Sequence, residues 1–206
     1  MNSEQITENR VSGDAIDAMV NEMQLVSRLL HARGILGGRG GNMSARLADG
    51  RILITRSGTY KALLERQSLL LLDGAGQPLE AGTPSSETPL HLVSYEHPSV
   101  GAVIHAHPPA CTTLALVDQP LDTSTTEEGR IGLGRVPLLP PGEAGDPWIA
   151  AAWAEAIRMG AKAALLPHHG VIVWGRDLRD ASARLETCEA LAEIQWRLAV
   201  WRGQKP

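Results

Sequence analysis

Apolar residues recur every three or four positions in three segments, which predicts three helices. The first segment covers about residues 13–33, the second covers residues 148–159 and the third covers about residues 180–201. Pro147 and Gly160 mark the start and the stop of the middle helix. In the last helix the repeating positions are Leu185, Cys188, Leu191, Gln195 and Leu198. We therefore expect each long helix to pack one apolar stripe onto the core.

Short apolar runs between turn residues predict the strands. These runs are RILIT (51–55), SLLLLD (68–73), GAVIHAH (101–107) and the two halves of AALLPHHGVIVWG (163–175), with a further candidate at residues 132–139. The triplet ADG (48–50) predicts a hairpin turn before the first run. A helix is also predicted to begin at Ser–Ser–Glu (85–87), with Pro89 in its first turn, where a missing N–H does no harm.

Strands that alternate with long helices predict the α/β class. The strand–turn–strand units are too short for parallel crossovers, so we expect a mostly antiparallel sheet. The sequence contains no internal repeat, low-complexity tract or linker. We therefore predict a single domain over residues 1–206.

Composition narrows the classes of protein that the chain can belong to. Hydrophobic residues make up 43% and charged residues 20%, which is typical of a folded globular protein. A net charge of −4 with scattered Lys and Arg gives no basic surface for nucleic acid or an anionic membrane. The N-terminus lacks the features of a signal peptide, and no apolar run reaches the ~20 residues of a membrane helix. With only two cysteines, we expect free thiols and a cytoplasmic protein.

Two histidines in one predicted strand are the sharpest chemical signal. Side chains at i and i+2 of a strand point to the same side, so His105 and His107 can converge on one metal ion. A catalytic zinc usually has three protein ligands, and the PHHG turn offers His168 or His169 as the third. The alternative is that His-x-His is an accident of a half-buried strand, with each ring merely hydrogen-bonded.

Glu87 is the candidate acid/base, since it lies in the first turn of a predicted helix and would be ionised beside a dication. The alternative is a simple capping carboxylate. The loop GGRGGN (37–42), with Asn42, has the composition of a phosphate cradle, but it matches neither a dinucleotide fingerprint nor a Walker A loop. Ser57–Gly58 and Ser85–Ser86 are two further donor pairs, each of which is also typical of a turn or cap.

Five segments in order resemble the class II aldolase/adducin family. They are GGNMSARL, ITRSG, PSSETPLH, VGAVIHAHPP and LLPHHGVIVWGRDL, the last followed by a long helix, and they spread over about residues 23–198. The resemblance implies a three-layer α/β/α domain around a mostly antiparallel sheet. It also implies a homotetramer with active sites at the subunit interfaces.

The resemblance assigns roles to the candidate residues. It gives zinc to His105, His107 and His169, and it makes Glu87 a displaceable fourth ligand or the catalytic acid/base. It places phosphate recognition on Asn42, Ser57, Gly58, Ser85 and Ser86. The implied reaction is cleavage of a ketose 1-phosphate such as L-fuculose 1-phosphate into dihydroxyacetone phosphate and an aldehyde, with zinc stabilising the enediolate.

The sequence departs from the family pattern in ways that bear on the substrate. Arg56 replaces the family's proline in the Thr–Pro–Ser/Thr–Gly segment, and it could reach a phosphate. The chain has only Tyr60 and Tyr95, neither at the positions where fuculose-phosphate-type aldolases carry their aldehyde-side tyrosines. The stretches SGTYK and WGRDL also resemble methylthioribulose-1-phosphate dehydratases. Dehydration, decarboxylation and an adducin-like binding domain without catalysis therefore remain alternatives.

Overall fold

A six-stranded sheet forms the centre of the molecule, and every neighbouring pair of strands in it is antiparallel. The computed structural model describes residues 3–143 and 145–203, with side chains from residue 13 onward. The strands are β1 (Asn42–Arg46), β2 (Ile52–Thr55), β3 (Leu69–Leu72), β4 (Ala102–Ala106), β5 (Ala163–Leu166) and β6 (Gly170–Gly175). Their spatial order is β3-β2-β1-β4-β6-β5, so β1 and β4 lie at the centre.

Within the described residues, five α-helices cover the two faces of this sheet. They are α1 (Ser3–Ala32), α2 (Thr88–Ser94), α3 (Pro109–Leu116), α4 (Pro147–Arg158) and α5 (Leu178–Trp201). Buried side chains of α1, α3 and α5 form one apolar core with the first face, and those of α2 and α4 form a second core with the other. The α/β class predicted from the sequence pattern and the three-layer architecture implied by the family resemblance are therefore confirmed.

Continuous apolar runs in the strands follow from this double coverage. In β2, Ile52 and Ile54 belong to the core under α2 and α4, whereas Leu53 belongs to the core under α1, α3 and α5. A strand that is buried on both faces has no polar side to alternate with. In β4 the same alternation turns His105 toward the layer of α2 and α4, because Ile104 belongs to the opposite core.

Helix α1 begins at Ser3, ten residues earlier than predicted. Residues 3–12 are mostly polar and lack the apolar periodicity on which the prediction depended. The predicted domain over residues 1–206 extends at both ends beyond the described residues. None of the helices in the described part of the chain is long and apolar enough to span a membrane.

The strand predicted at residues 132–139 is wrong. Gly129–Leu133 forms a π-helical turn, and only Leu138 makes a single bridge, to Leu165. Gly134, with φ of +66°, breaks the extended conformation, and Pro137 has no N–H to donate to a ladder. Helix α3 was not predicted, since two adjacent prolines obscured a segment of only eight residues.

Leu185→Ala should destabilise the fold strongly. Leu185 is fully buried on α5 in the core beneath the sheet, so truncation removes apolar contacts and leaves a cavity. The free energy of unfolding, measured by urea denaturation, should fall by about 2–5 kcal/mol. Leu79→Ala, at a leucine that is 52% exposed, is the matched control and should cost less than about 1 kcal/mol. Equal losses in the two variants would contradict the assignment of this core.

Candidate metal centre and substrate pocket

Three histidines from separate parts of the chain converge at one end of the central strands. His105 lies in β4, His107 follows that strand, and His169 lies in the turn between β5 and β6. The three ring centroids are 4.6–4.7 Å apart, and the candidate ligand nitrogens all lie within 4.8 Å of one another. His168 faces Asp118 instead, at 3.8 Å, so the third ring of the cluster is that of His169.

Two glycines let the backbone approach His107 closely. A Cβ atom at Gly40 would lie 2.9 Å from Nδ1 of His107, and one at Gly170 would lie 2.4 Å from the carbonyl oxygen of Ala106. Real Cβ atoms do not come so near to other heavy atoms. The loop GGRGGN (37–42) and the β5–β6 turn therefore need glycine at these positions in order to pack against the histidine cluster.

The surroundings of His105 and His107 favour the neutral form of imidazole, which is the form that binds a metal. Nδ1 of His105 lies 3.0 Å from the carbonyl oxygen of Val171, which fixes the proton on Nδ1 and leaves the lone pair of Nε2 facing His107 and His169. Burial lowers the pKa of His105 well below its usual value, and the two neighbouring imidazoles lower it further. Partial burial and His169 also lower the pKa of His107, although Glu87 opposes the shift.

Glu87 sits beside the cluster with both carboxylate oxygens facing imidazoles. Oε2 lies 3.2 Å from Nε2 of His105, and Oε1 lies 3.2 Å from Nε2 of His169. Glu87 occupies the position just before α2, but its side chain makes no capping hydrogen bond and is only 3% exposed. Three imidazole nitrogens next to one carboxylate are a donor set that fits a divalent metal such as zinc.

A buried chain of hydrogen bonds orients this carboxylate. The amide of Asn42 donates to Oε2 of Glu87 at 2.5 Å, so its oxygen must accept the proton on Nε2 of His91, also at 2.5 Å. Nδ1 of His91 then accepts from the hydroxyl of Ser44, which lies 2.7 Å from both that nitrogen and the hydroxyl of Tyr95. Every donor in this series of hydrogen bonds points toward Glu87, so Oε2 of Glu87 is the acceptor at its end.

Acidification should destabilise the fold through His91. Burial lowers the pKa of His91 to about 3, with Glu87 opposing, whereas an unfolded histidine titrates near its model value of 6.5. Below pH 6.5 the unfolded chain binds a proton that the folded chain does not, so stability is complete above pH 6.5 and falls toward pH 3. At pH 5 this group should cost about 2 kcal/mol. His91→Gln should therefore lose less stability between pH 7 and pH 5 in urea titrations, and an unchanged acid slope would contradict this prediction.

The residues expected to bind phosphate line one pocket with part of the metal cluster. This cavity, of about 230 Å³, is lined by Arg39, Gly40, Gly41, Asn42, Arg56, Ser57, Gly58, Lys61, Ser85, Ser86, Glu87, His107 and His169. Within the described residues, the hydroxyls of Ser57 and Ser86 have no protein partner, whereas that of Ser85 accepts from the N–H of Glu87. A larger cavity, of about 520 Å³, lies beside Trp196 and contains no histidine.

The guanidinium of Arg56 has protein partners, and neither tyrosine is among the residues that line the pocket. Arg56 donates to the carbonyls of Leu69 and Ala81 and lies 3.5 Å from Glu80, while its reach to a phosphate stays a prediction. Tyr95 is buried in the hydrogen-bond chain below Glu87, and Tyr60 is 45% exposed at the edge of His31.

Lys61 is a pocket residue that the sequence analysis did not single out. It is only 1% exposed, yet it lies in the wall of the pocket that holds Glu87 and His107. The signal was available in the SGTYK stretch, which resembles one branch of the family. A lysine in a turn is usually exposed, so its burial could not be read from spacing or periodicity.

The comparison with known proteins agrees with the geometry. The sequence profile of the "Class II Aldolase and Adducin N-terminal domain" family matches residues 21–196. A 3-oxo-tetronate 4-phosphate decarboxylase of Haemophilus influenzae is 34% identical over 189 residues, 89% of this chain and 88% of that protein. A methylthioribulose-1-phosphate dehydratase of Methylococcus capsulatus is 34% identical over 195 residues, 86% of this chain and 92% of that protein.

A solved structure extends this agreement to the fold. The L-fuculose-1-phosphate aldolase of Thermus thermophilus superposes with a TM-score of 0.78 and 31% sequence identity, over 91% of this chain and 97% of that one. These relatives are enzymes that carry out different reactions. The resemblance read from the five ordered segments is thereby confirmed: the chain belongs to the class II aldolase/adducin family.

Proposed function

We propose that the protein is a metal-dependent lyase that acts on a phosphorylated sugar, with His105, His107 and His169 holding one zinc ion per subunit. The observation that carries this proposal is the convergence of three imidazoles beside an oriented carboxylate, in a pocket with unpartnered hydroxyl groups among the described residues. A purely structural domain would have no use for such a set. An adducin-like binding domain is therefore the weaker alternative.

Each residue of the pocket has a role in this proposal. When bound, a divalent metal supplies Lewis-acid stabilisation of the negative charge that builds on the substrate's oxygens. Glu87 transfers the proton at the carbon next to the carbonyl, and Asn42 holds the carboxylate in place for that transfer. The amide of Asn42 retains one N–H for the pocket. The phosphate is bound by this N–H together with hydroxyl and backbone N–H donors of two short segments, Ser57–Gly58 and Ser85–Ser86.

Aldol cleavage is the first form of the reaction to test. Glu87 would accept the proton of the C4 hydroxyl of a ketose 1-phosphate as the C3–C4 bond breaks, which releases an aldehyde. The electron pair left on C3 would then take a proton from Glu87, which yields dihydroxyacetone phosphate. The similarity to the Thermus thermophilus L-fuculose-1-phosphate aldolase supports this form.

Dehydration is the second form, and a specific observation favours it. Neither tyrosine of the chain presents its hydroxyl to the pocket, so the aldehyde end of an L-fuculose-type substrate has no tyrosine from this chain to donate to it. Glu87 would then remove the proton next to the carbonyl and a hydroxide would leave from the neighbouring carbon. The identity to the Methylococcus capsulatus dehydratase supports this reading, and that to the Haemophilus influenzae decarboxylase adds decarboxylation as a third outcome to monitor.

The assembly and the location of the protein are part of the same proposal. We expect a homotetramer whose active sites lie at subunit interfaces, so that a neighbouring subunit completes the far end of the pocket. The location we expect is the cytoplasm, where the two free cysteines, Cys111 and Cys188, would stay reduced. Sedimentation analysis of the purified protein would test the assembly directly.

A substrate screen with metal analysis tests the proposed reaction. The purified protein should contain about one zinc per chain, and chelation should abolish its activity. L-Fuculose 1-phosphate, methylthioribulose 1-phosphate and 3-oxo-tetronate 4-phosphate should be supplied in turn, with dihydroxyacetone phosphate, the dehydrated ketone and carbon dioxide measured as products. A folded protein that takes up no divalent metal and converts none of these substrates would overturn the proposal.

A further inference from the structure

Lys61 brings a buried ammonium group to the pocket. It opens the short 3-10 turn Lys61–Leu63, directly after the loop that contains Ser57 and Gly58. Its backbone N–H donates to the carbonyl of Gly38 at 2.9 Å, and its own carbonyl accepts from the hydroxyl of Ser27 on α1. The backbone of Lys61 is therefore held in place by hydrogen bonds at both its N–H and its carbonyl group.

The ammonium group has two protein partners, and both are backbone carbonyls. Nζ donates to the carbonyl of Thr59 at 2.8 Å and to that of Arg39 at 3.2 Å. These carbonyls belong to the two loops that line the pocket, so Nζ lies between them. An ammonium group has three N–H donors, and one remains. Among the described residues, no carboxylate oxygen lies within 4.0 Å of Nζ.

Burying a cation without a counter-ion is unfavourable in free energy, so a bound anion would stabilise the ammonium group of Lys61. Burial lowers the pKa of Lys61 to about 8, while Glu87 opposes the shift. Lysine is almost never buried without a charged partner, because desolvation of the ammonium group is unfavourable. An anion in the pocket would supply the missing partner and would use the remaining N–H.

The other charged groups that line the pocket differ from Lys61 in burial, charge or partners. Arg56 is bound to two carbonyls and Glu80, and Arg39 is exposed. Glu87 is buried and negative, so by itself it repels an incoming anion. Lys61 is therefore the buried cation that the described pocket residues offer to a phosphate.

We propose that Nζ of Lys61 binds the phosphate group of the substrate and makes the pocket selective for phosphorylated substrates. The identity of the substrate rests on the proposed function, but the affinity for phosphate does not. Lys61 is assigned here to binding and to no step of bond cleavage.

Direct binding of inorganic phosphate tests this role without any turnover. The dissociation constant should be measured by calorimetry for the zinc-loaded wild type and for Lys61→Gln, Lys61→Met and Lys61→Arg. Loss of one charged hydrogen bond should weaken phosphate binding by at least about tenfold in the Gln and Met variants. Lys61→Arg keeps the charge and should retain the affinity within about threefold. Lys162→Met removes a lysine that donates to a carbonyl at the exposed surface, and it should change nothing.

Melting temperature and zinc content separate this role from a structural one. A folded, zinc-loaded Gln or Met variant with unchanged phosphate affinity would overturn the proposal. If these variants do not fold, the side-chain NMR signal of Lys61 in the wild type, assigned from Lys61→Arg, decides the question. That signal should shift when inorganic phosphate is added, and a signal that does not respond would overturn the proposal. Phosphate binding through Lys61 without lyase activity would sustain this inference while removing the proposed reaction.

Discussion

Glu87→Gln should abolish most turnover and leave the metal in place. The amide keeps the shape of the carboxylate and an oxygen that accepts from Asn42, but it cannot exchange a proton with the substrate carbon. Because general acid–base catalysis contributes about 10²–10⁴-fold, kcat should fall by about that factor. Zinc content should remain near one per chain, since the three imidazoles are intact. Steady-state kinetics together with metal analysis would measure both quantities.

Glu96→Gln is the matched control for this substitution. Glu96 lies just beyond the end of α2, at an exposed position away from the histidine cluster. Its substitution by glutamine is the same chemical change as in the Glu87 variant. It should keep the kcat of the wild type. Near-normal turnover in the Glu87 variant would remove this residue from its proposed role, whatever the state of the metal.

His107→Ala should remove both the metal and the activity. Two imidazoles would remain, and Glu87 alone cannot replace the lost nitrogen, because its two oxygens already face His105 and His169. Loss of a partner that only orients a ligand weakens metal binding by about 10–100-fold, so loss of a ligand itself should cost more than about 100-fold. His107 is exposed, so the free energy of unfolding without metal should change by less than about 1 kcal/mol. Zinc titration against a competing chelator would measure the affinity.

His168→Asn removes an imidazole from the neighbouring position and serves as the control. His168 is exposed and adopts a left-handed backbone conformation with φ of +56°. Asparagine tolerates this conformation well, so the turn that carries His169 should keep its shape. The variant should bind zinc as the wild type does. Equal zinc loss in both variants would show that the turn, and not the ligand set, controls the metal.

Much of the fold could be predicted because its periodicity is local. The stripe on α5 and the antiparallel pairing of β5 with β6 follow from apolar spacing and from a turn too short for a crossover. The segment 132–139 could not be judged in the same way. Its apolar residues pack against the sheet and so resemble a buried strand, but Gly134 and Pro137 prevent a ladder.

The candidate site could be predicted only in part, for a comparable reason. His105 lies in β4 and His107 directly follows it, so their spacing alone indicates convergence, whereas the choice of His169 over His168 depends on the direction of a turn. The burial of Lys61 depends on α1 and the glycine loop, which are distant in sequence. Long-range packing of this kind leaves no periodic signal in the chain.

Anomalous diffraction at the zinc edge, from crystals of the purified protein, tests the central claim most directly. We expect one peak per chain, about 2.0–2.1 Å from a ring nitrogen of each of His105, His107 and His169, with Glu87 adjacent. Density for three rings that point apart, or a zinc-loaded protein whose only peak lies elsewhere, would contradict it.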